Sequence, residues 1–125
     1  MPASEPLRIL IADDSLEFRR SLAKIFQKEG FQVRAVDDGN RASALLGKEF
    51  FPLIITDLRM SGKSGLELLR EVQAKSPESK VIMVTAFGEE EDQAQALNAG
   101  AFAFFFKPVT RKALLEAARR ALKPA

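Results

Sequence analysis

The sequence predicts an α/β fold in which a doubly wound parallel sheet carries helices on both faces. Short apolar runs rich in Val, Ile and Leu alternate five times with segments whose apolar residues recur at helical spacing. The third and fourth runs are continuously apolar, which is typical of strands buried on both faces. The chain has 125 residues and no linker or low-complexity stretch, so we expect a single domain.

The first half of the chain carries three of the apolar runs. They cover residues 7–12, 31–36 and 52–56. Between the first two, residues 15–29 have apolar side chains at helical spacing, and Gly30 is a typical C-terminal stop. Between the second and the third, a turn cluster at residues 37–40 precedes a short helical segment that stops near Gly47.

The second half of the chain repeats the alternation twice. The fourth and fifth apolar runs are residues 80–85 and 102–106. A loop rich in Gly and Ser reaches Gly65, and the helix that follows is broken at residues 76–77. Four acidic residues at 89–92 open the next helix, where they suit the positive end of its dipole. Thr110 is expected to cap the last helix.

The composition excludes several kinds of chemistry. The chain has no Cys and no His, so it has no disulfide, thiol nucleophile, imidazole base or Ser-His-Asp triad. Carboxylate, hydroxyl, ammonium and guanidinium groups remain. A metal ion bound here is therefore expected to be hard and oxygen-bound, such as Mg²⁺, Ca²⁺ or Mn²⁺.

The charge distribution argues against nucleic acid and membrane partners. The net charge is +2, from 19 basic and 17 acidic residues that are interspersed along the chain, whereas nucleic-acid binders concentrate Lys and Arg on one face. No apolar run approaches the roughly 20 residues that cross a bilayer, and residues 1–5 lack a signal-peptide pattern. We expect a cytoplasmic protein that binds no nucleic acid and no membrane.

Polar side chains follow four of the apolar runs, at the point where each run ends. They are Asp13 and Asp14 after the first run, Asp57 after the third, Thr85 at the end of the fourth and Lys107 after the fifth. Right-handed crossovers put the carboxyl ends of parallel strands at one edge of a sheet. We therefore expect these groups to converge in one cleft, where open α/β sheets bind their ligands.

Such a cluster suits a divalent cation and a phosphoryl group. Clustered carboxylates raise one another's pKa, and Mg²⁺ relieves this by taking one or two carboxylates plus waters. A carboxylate is then the available nucleophile, and it would form an acyl phosphate. Each residue also has an ordinary structural explanation. The segment Asp13-Asp14-Ser15 could cap the first helix, since Asp and Ser are favoured there. Asp57 could be a loop residue, Thr85 could end a strand, and Lys107 could be solvated.

Four segments together resemble the receiver domain of bacterial two-component response regulators, the CheY-like family. They are ILIADDS (9–15), IITDLRMSGKSG (54–65), VIMVTA (81–86) and GAFAFFFKP (100–108). The resemblance implies a flavodoxin-like three-layer sandwich, (βα)5, whose parallel five-stranded sheet has the order 2-1-3-4-5. It also implies a single receiver domain over residues 1–125, with a core at about 7–122.

The resemblance assigns roles to the carboxylates. Asp57 matches the aspartate that accepts a phosphoryl group from a phosphohistidine donor. Asp14, Asp57 and the backbone carbonyl of Arg59 match the protein ligands of Mg²⁺, with Mn²⁺ as the alternative ion. Asp13 matches a residue that acts on the metal directly or through a metal-bound water.

The resemblance also implies a switch. Thr85 would hydrogen-bond the phosphoryl group, Lys107 would pair with it, and the small Ala86 would leave access to the site. The peptide bond between Lys107 and Pro108 is expected to be cis. Phosphorylation would draw Thr85 toward the new charge, and Phe104 would turn into the vacated space. That movement would change the face formed by helix 4, strand 5 and helix 5.

Four residues depart from the family pattern or occupy its variable positions. Ser61 replaces a common proline, which should loosen the loop after Asp57. Phe104 stands where the family often has Tyr, so its switching should be less sharply two-state. Arg59 and Phe87 should shield the phosphoryl group and exclude water, which gives a long phosphoryl lifetime.

The resemblance implies a histidine kinase or a phosphotransfer protein as the phosphoryl donor. The basic side chains of the first helix are Arg19, Arg20, Lys24 and Lys28. They form either a solvated face or a docking surface for that donor. Phe102, Phe104 and Phe106 recur with period two. They either pack under helices or present an apolar face to a second copy or an output partner.

Three other functions remain open. A pseudo-receiver would use the fold as an interaction module that is independent of phosphorylation. A Mg²⁺-dependent phosphohydrolase would need a second carboxylate where Arg59 stands, together with a cap domain. A flavodoxin-type cofactor binder would need a phosphate loop where Asp13 and Asp14 stand. We expect a phosphoacceptor that phosphorylates and dephosphorylates itself rather than a turnover enzyme, either stand-alone or part of a longer regulator.

Overall fold

The computed structural model describes residues 7–124, in which five strands alternate with five helices. The strands are β1 (Arg8–Ala12), β2 (Gln32–Val36), β3 (Leu53–Thr56), β4 (Lys80–Thr85) and β5 (Ala103–Phe106). The helices are α1 (Leu16–Lys28), α2 (Gly39–Leu46), α3 (Gly65–Lys75), α4 (Glu90–Asn98) and α5 (Arg111–Leu122). Residues 1–5, for which the sequence predicts no signal peptide, lie outside this range, and so does Ala125. Within it, no helix is long and apolar enough to cross a bilayer.

All five strands pair in parallel, in the order β2-β1-β3-β4-β5. The predicted α/β class, the parallel sheet and the strand order are confirmed. The order reverses between β1 and β3, which pair directly with Ala12 opposite Thr56. The residues that follow these two strands therefore emerge side by side, at the switch point where such sheets bind ligands.

Two apolar clusters fill the space on the two faces of the sheet. On one face, Leu10, Ile54 and Met83 of the sheet pack with side chains from α2, α3 and α4. On the other face, Ile11 and Ile55 pack with side chains from α1 and α5. Alternate residues of each strand point to opposite clusters because strand side chains alternate with period two. The result is the expected three-layer sandwich.

The ends of the elements differ slightly from the sequence prediction. The turn expected over residues 37–40 is shorter, because the Asp38 side chain accepts from the Arg41 backbone N–H and α2 begins at Gly39. Four of the strands begin one residue later than their apolar runs. Ser15 and Thr110 cap α1 and α5 through their side-chain oxygens. The expected cap at Thr110 is therefore confirmed.

Candidate functional site

Three carboxylates meet at the carboxyl edge of the sheet. Asp13, Asp14 and Asp57 each offer an oxygen atom, and these atoms lie within 4.8 Å of one another. Asp13 and Asp57 are buried, whereas Asp14 is exposed. Within the segment Asp13-Asp14-Ser15, Ser15 is the residue that caps α1, so the expected cap lies in this segment but neither aspartate forms it.

Asp13 is held by three groups around it. Its carboxylate accepts hydrogen bonds from the Ser15 backbone N–H at 2.8 Å and from the Lys107 ammonium group at 2.8 Å. The Arg19 guanidinium donates to its backbone carbonyl at 2.8 Å. Burial raises the pKa of the Asp13 carboxyl, the nearby Asp57 charge adds to this, and the hydrogen bonds from Lys107 and Ser15 oppose it only in part.

Lys107 is the cation that the fold places among these carboxylates. Its Nζ lies 2.8 Å from Asp13 Oδ2 and 3.5 Å from Asp57 Oδ2. The same nitrogen lies 4.0 Å from the centroid of the Phe18 ring, which adds a cation–π contact. The sequence placed Phe18 only in the apolar stripe of the first helix. Phe18 lies in the first turn of α1, which begins at the carboxyl edge of the sheet, and this position could have indicated that its ring lies near the carboxylates.

Asp57 is fixed by the backbone on both sides. Its N–H donates to the Ala12 carbonyl at 2.9 Å, and its Oδ1 accepts from the Arg59 N–H at 3.3 Å. The Thr56 hydroxyl donates to the Asp57 carbonyl at 2.9 Å. The carboxylate is therefore oriented before any ligand binds.

Thr85 lies at the end of β4 and is fully buried. Its Oγ1 accepts a hydrogen bond from the Phe87 backbone N–H at 3.2 Å, so the hydroxyl hydrogen stays available to another acceptor. The next residue, Ala86, is exposed. A side chain at Gly88 would contact Thr85 Cγ2 at 2.8 Å and the Phe104 ring at 3.2 Å, so this glycine keeps the space beside both residues free.

The three phenylalanines of the fifth apolar run lie in different surroundings. Phe104 is 7% exposed and belongs to the core, whereas Phe102 and Phe106 are 39% and 41% exposed. The Phe104 and Phe106 rings meet edge to face, with centroids 5.2 Å apart. The inward turn expected of Phe104 would therefore start from a ring that is already buried. β5 is an edge strand, and only two of the three rings reach the surface.

The Arg59 side chain is directed toward the start of α4. Its Nε donates to the Phe87 carbonyl at 3.1 Å, and its guanidinium lies 3.8 Å from the Asp92 carboxylate. Phe87 itself is 73% exposed. Asp92, which the sequence placed only among the acids that open α4, is thus a partner of a predicted site residue.

The loop that carries Asp57 and Arg59 packs closely against its neighbours. We call residues 57–64 the acceptor loop. Gly65 has no room for a Cβ beside the Asp57 carbonyl, and Gly39 has none beside the Lys63 backbone. Gly39 also donates its N–H to the Ser61 carbonyl at 2.9 Å. The loop is therefore held at both ends by backbone contacts that only glycine permits.

The combination of fold and site can be compared with known proteins. The chain matches the response regulator receiver domain over residues 9–119. It belongs to this family. The receiver domain is a phosphoacceptor in two-component signal transduction and is not, in general, a turnover enzyme. The pseudo-receiver alternative is not favoured. The acidic cluster of this receiver domain could bind a metal ion.

Relatives and solved structures agree with this assignment. The response regulator protein PilR of Pseudomonas aeruginosa is 36% identical over 116 residues, which are 93% of this chain and 26% of PilR. The receiver domain spans about a quarter of the length of the curated relatives it matches. A CheY-like receiver domain from Methanospirillum hungatei has a TM-score of 0.90 at 35% identity, with 94% of each chain covered.

A second solved structure shows a modified relative. It is a response regulator of Burkholderia pseudomallei with a phosphorylated aspartic acid, a calcium ion and citrate. Its TM-score is 0.83 at 28% identity, covering 89% of this receiver domain and 65% of that chain.

Proposed function

We propose that this receiver domain accepts a phosphoryl group on Asp57 from a histidine kinase or a phosphotransfer protein, with Mg²⁺ bound beside it. The observation that carries the proposal is the Lys107 ammonium group, which reaches both Asp13 and Asp57 within a cluster of three carboxylates. A single ammonium group leaves the cluster negative. A divalent cation relieves this excess, and the cation and Lys107 together can neutralise a phosphoryl group.

Asp57 is the proposed nucleophile because it is buried and already oriented. A carboxylate oxygen attacks the phosphorus atom while the P–N bond to the donor's imidazole breaks, which leaves an acyl phosphate on Asp57. The Arg59 N–H on Oδ1 and Lys107 near Oδ2 fix the two oxygens in different surroundings. The phosphorylated aspartic acid of the Burkholderia relative supports this choice.

The proposed metal ligands are Asp14, Asp57 and the backbone carbonyl of Arg59, with Asp13 acting directly or through water. All are hard oxygen donors, and Asp14 is open to solvent, so the residues present fit Mg²⁺ or Mn²⁺. When bound, Mg²⁺ offsets the charge that develops on the transferred phosphoryl group. Lys107 would remain the protein's own positive charge beside Asp57.

Thr85 and Phe104 are the proposed switch residues. The Thr85 hydroxyl can donate to a phosphoryl oxygen while it still accepts from Phe87. Phosphorylation replaces the carboxylate charge of Asp57 with a phosphoryl group that carries about −1.5 to −2 charge and three acceptor oxygens, and these oxygens draw the Thr85 hydroxyl toward the site. Because Thr85, Phe104 and Phe106 all border the space beside Gly88, that movement would repack the α4–β5–α5 face. Ala86 leaves the phosphoryl group accessible.

The proposed donor docks beside the site on α1. An open groove of about 480 Å³ lies between α1 and the chain after β5, with Phe18, Ile25 and Leu114 among its lining residues. Exposed basic residues of α1, Arg20 and Lys24, lie on the same helix. The cations Lys107 and Arg111 also line the groove, and an apolar groove with positive charge suits an amphipathic, acidic helix of a phosphohistidine donor. A second copy or an output partner would instead contact the exposed rings of β5.

The remaining expectations belong to the same proposal. The domain dephosphorylates itself slowly, because Arg59 shields the phosphoryl group and Phe87 excludes water. The bond from Arg59 Nε to the Phe87 carbonyl supports this by joining the two residues. It forms one receiver domain over residues 1–125 and acts in the cytoplasm. It makes no direct contact with nucleic acid.

The proposal is tested by intact mass after incubation with phosphoramidate and Mg²⁺. We expect one added phosphoryl group on the wild type, no addition with a chelator, and none on Asp57→Ala. Circular dichroism on the variant shows that it is folded. An adduct that persists on folded Asp57→Ala would contradict the assignment of the acceptor.

A further inference from the structure

A polar cluster outside the carboxylate site joins the acceptor loop to two helices. It consists of Lys63, near the end of the loop, Ser43 on α2 and Glu71 on α3. Lys63 Nζ lies 2.6 Å from Glu71 Oε1 and 2.9 Å from Ser43 Oγ. The Ser43 hydroxyl lies 2.7 Å and 2.8 Å from the two Glu71 oxygens. We call these three residues the Lys63 cluster.

The Lys63 cluster is more than an ordinary surface ion pair. Exposed pairs contribute little because solvent screens them and their side chains are mobile. Here the Glu71 side chain is only 10% exposed, and all three groups bond to one another. Lys75 also reaches Glu71, but at 3.9 Å and with its side chain 75% exposed.

The cluster acts at the far end of the acceptor loop, where the capping box between Ser64 and Glu67 is a second side-chain anchor. There Gly62 has a φ of +75°, and the Ser61 carbonyl accepts the Gly39 N–H. Ser61 stands where the family commonly has proline, whose ring would restrict the backbone. Without that ring, this part of the loop needs another restraint. Lys63 supplies one, because its backbone lies against Gly39 while its ammonium group bridges α2 and α3.

We propose that Lys63 is a positioning residue for the metal site, which fixes the acceptor loop through Ser43 and Glu71. The inference rests on the proposed function, in which the Arg59 carbonyl and the Asp57 carboxylate bind Mg²⁺. Both belong to the acceptor loop and lie four and six residues before Lys63. With the loop fixed, these two oxygens are held for the cation in advance, so binding costs less ordering.

The test compares Lys63→Ala and Ser43→Ala with Lys75→Ala. The last is a matched control, because it removes the other lysine that faces Glu71 without touching the loop. Mg²⁺ affinity is measured by calorimetry, and the rate of adduct formation from phosphoramidate is measured against Mg²⁺ concentration. Hydrogen exchange of the Gly65 backbone amide in the metal-free protein reports how ordered the acceptor loop is. Lys63→Arg tests whether a cation of another shape restores Mg²⁺ affinity.

We expect Lys63→Ala to weaken Mg²⁺ binding by up to about tenfold. That is the lower end of the range for residues that hydrogen-bond metal ligands directly, since Lys63 bonds to Ser43 and Glu71 and acts through the loop. The rate at saturating Mg²⁺ should stay near that of the wild type, and Gly65 should exchange faster. Ser43→Ala should also weaken Mg²⁺ binding and speed Gly65 exchange, but by less than Lys63→Ala does. Lys63→Arg should recover part of the affinity, and Lys75→Ala should match the wild type.

The inference is overturned if folded Lys63→Ala and Ser43→Ala bind Mg²⁺ as Lys75→Ala does. If Lys63→Ala does not fold, Ser43→Ala and its Gly65 exchange decide the matter alone. A wild type that binds no Mg²⁺ and forms no adduct overturns the proposed function, and this inference with it. If the wild type binds Mg²⁺ and forms the adduct, and the Lys63 and Ser43 variants have the same Mg²⁺ affinity as the wild type, only the role of Lys63 is overturned.

Discussion

The Lys107 ammonium group donates a 2.8 Å hydrogen bond to Asp13, a residue 94 positions earlier in the chain. The bond ties the end of β5 to the end of β1, although β3 and β4 lie between them in the sheet. Burial nevertheless keeps the pKa of Asp13 raised. The folded state therefore holds a negative charge there at a cost, which is typical of sites kept for function.

Replacing Asp13 with Asn should stabilise the metal-free protein. Asn keeps one acceptor oxygen, which can serve either Lys107 or Ser15 but not both, and it removes a buried charge beside Asp57. We expect the free energy of unfolding to rise by about 1 kcal/mol, while Mg²⁺ affinity falls. Urea unfolding followed by circular dichroism measures the first and calorimetry the second. The exposed Asp37→Asn is the control, and a loss of stability in Asp13→Asn alone would contradict the reasoning.

The contribution of Glu71 to stability should depend on pH. Burial raises the pKa of Glu71, but the hydrogen bonds from Lys63 and Ser43 together with the charges of Lys63 and Lys75 hold it below the ordinary 4.5. A lowered pKa in the folded state means stability that is fully present above pH 4.5 and is lost as the pH falls through the folded value.

The corresponding measurement is urea unfolding of wild type and Glu71→Gln from neutral pH to well below the ordinary pKa. We expect Glu71→Gln to be less stable at neutral pH and the difference to shrink in acid. Glu78→Gln changes an exposed glutamate just after α3 and is the control, for which we expect only a small difference. A Glu71→Gln difference that stays constant down to the lowest pH would count against the ion pair.

Alanine variants of Phe102 and Phe104 should differ in stability, because the first ring is exposed and the second is buried. Phe104→Ala removes a core ring and should cost about 3 kcal/mol of unfolding free energy. Phe102→Ala, at an exposed position next to the same strand, should cost less than about 1 kcal/mol. Chemical unfolding followed by circular dichroism compares them, since the chain has no Trp. Equal costs would show that Phe104 is not a core residue.

Gly65 should tolerate no side chain. A Cβ there would collide with the Asp57 carbonyl and lie 2.9 Å from Leu58 Cα, so Gly65→Ala must displace the acceptor loop. We expect lower stability and weaker Mg²⁺ binding. Gly47→Ala is the matched control, because its Cβ would meet only ordinary contacts of 3.5 Å or more and the backbone conformation suits alanine. Equal melting temperatures for the two variants would contradict this view of the loop.

The fold and the place of the site were predictable from local patterns. Apolar runs with strand length and segments with helical spacing give the order of elements, and parallel pairing then brings the ends of strands to one edge. Asp13, Asp57 and Lys107 could be found because each directly follows an apolar run. The same regularity explains why the three carboxylates were expected together before any distance was known.

The supporting contacts were not predictable in this way. Lys63 meets Ser43 and Glu71 across 20 and 8 positions of sequence, on elements whose facing sides no pattern specifies. The alternation of side chains with period two places Phe102 and Phe104 on the same face of the fifth run. It does not show that only Phe104 is covered, in the cluster on the face of the sheet that carries α4. The bond from Arg59 to the Phe87 carbonyl depends on side-chain direction, which follows from tertiary packing.

Identification of the modified residue tests the central claim most directly. After phosphorylation with phosphoramidate and Mg²⁺, borohydride reduces an aspartyl phosphate to homoserine, and tryptic peptide masses locate it. The peptide 49–59 contains Asp57 as its only aspartate, whereas Asp13 and Asp14 share the peptide 9–19. We expect homoserine at position 57, dependent on Mg²⁺ and absent when borohydride is added to unphosphorylated protein. Homoserine in the peptide 9–19, or a phosphoryl group on another side chain, would contradict the assignment of Asp57.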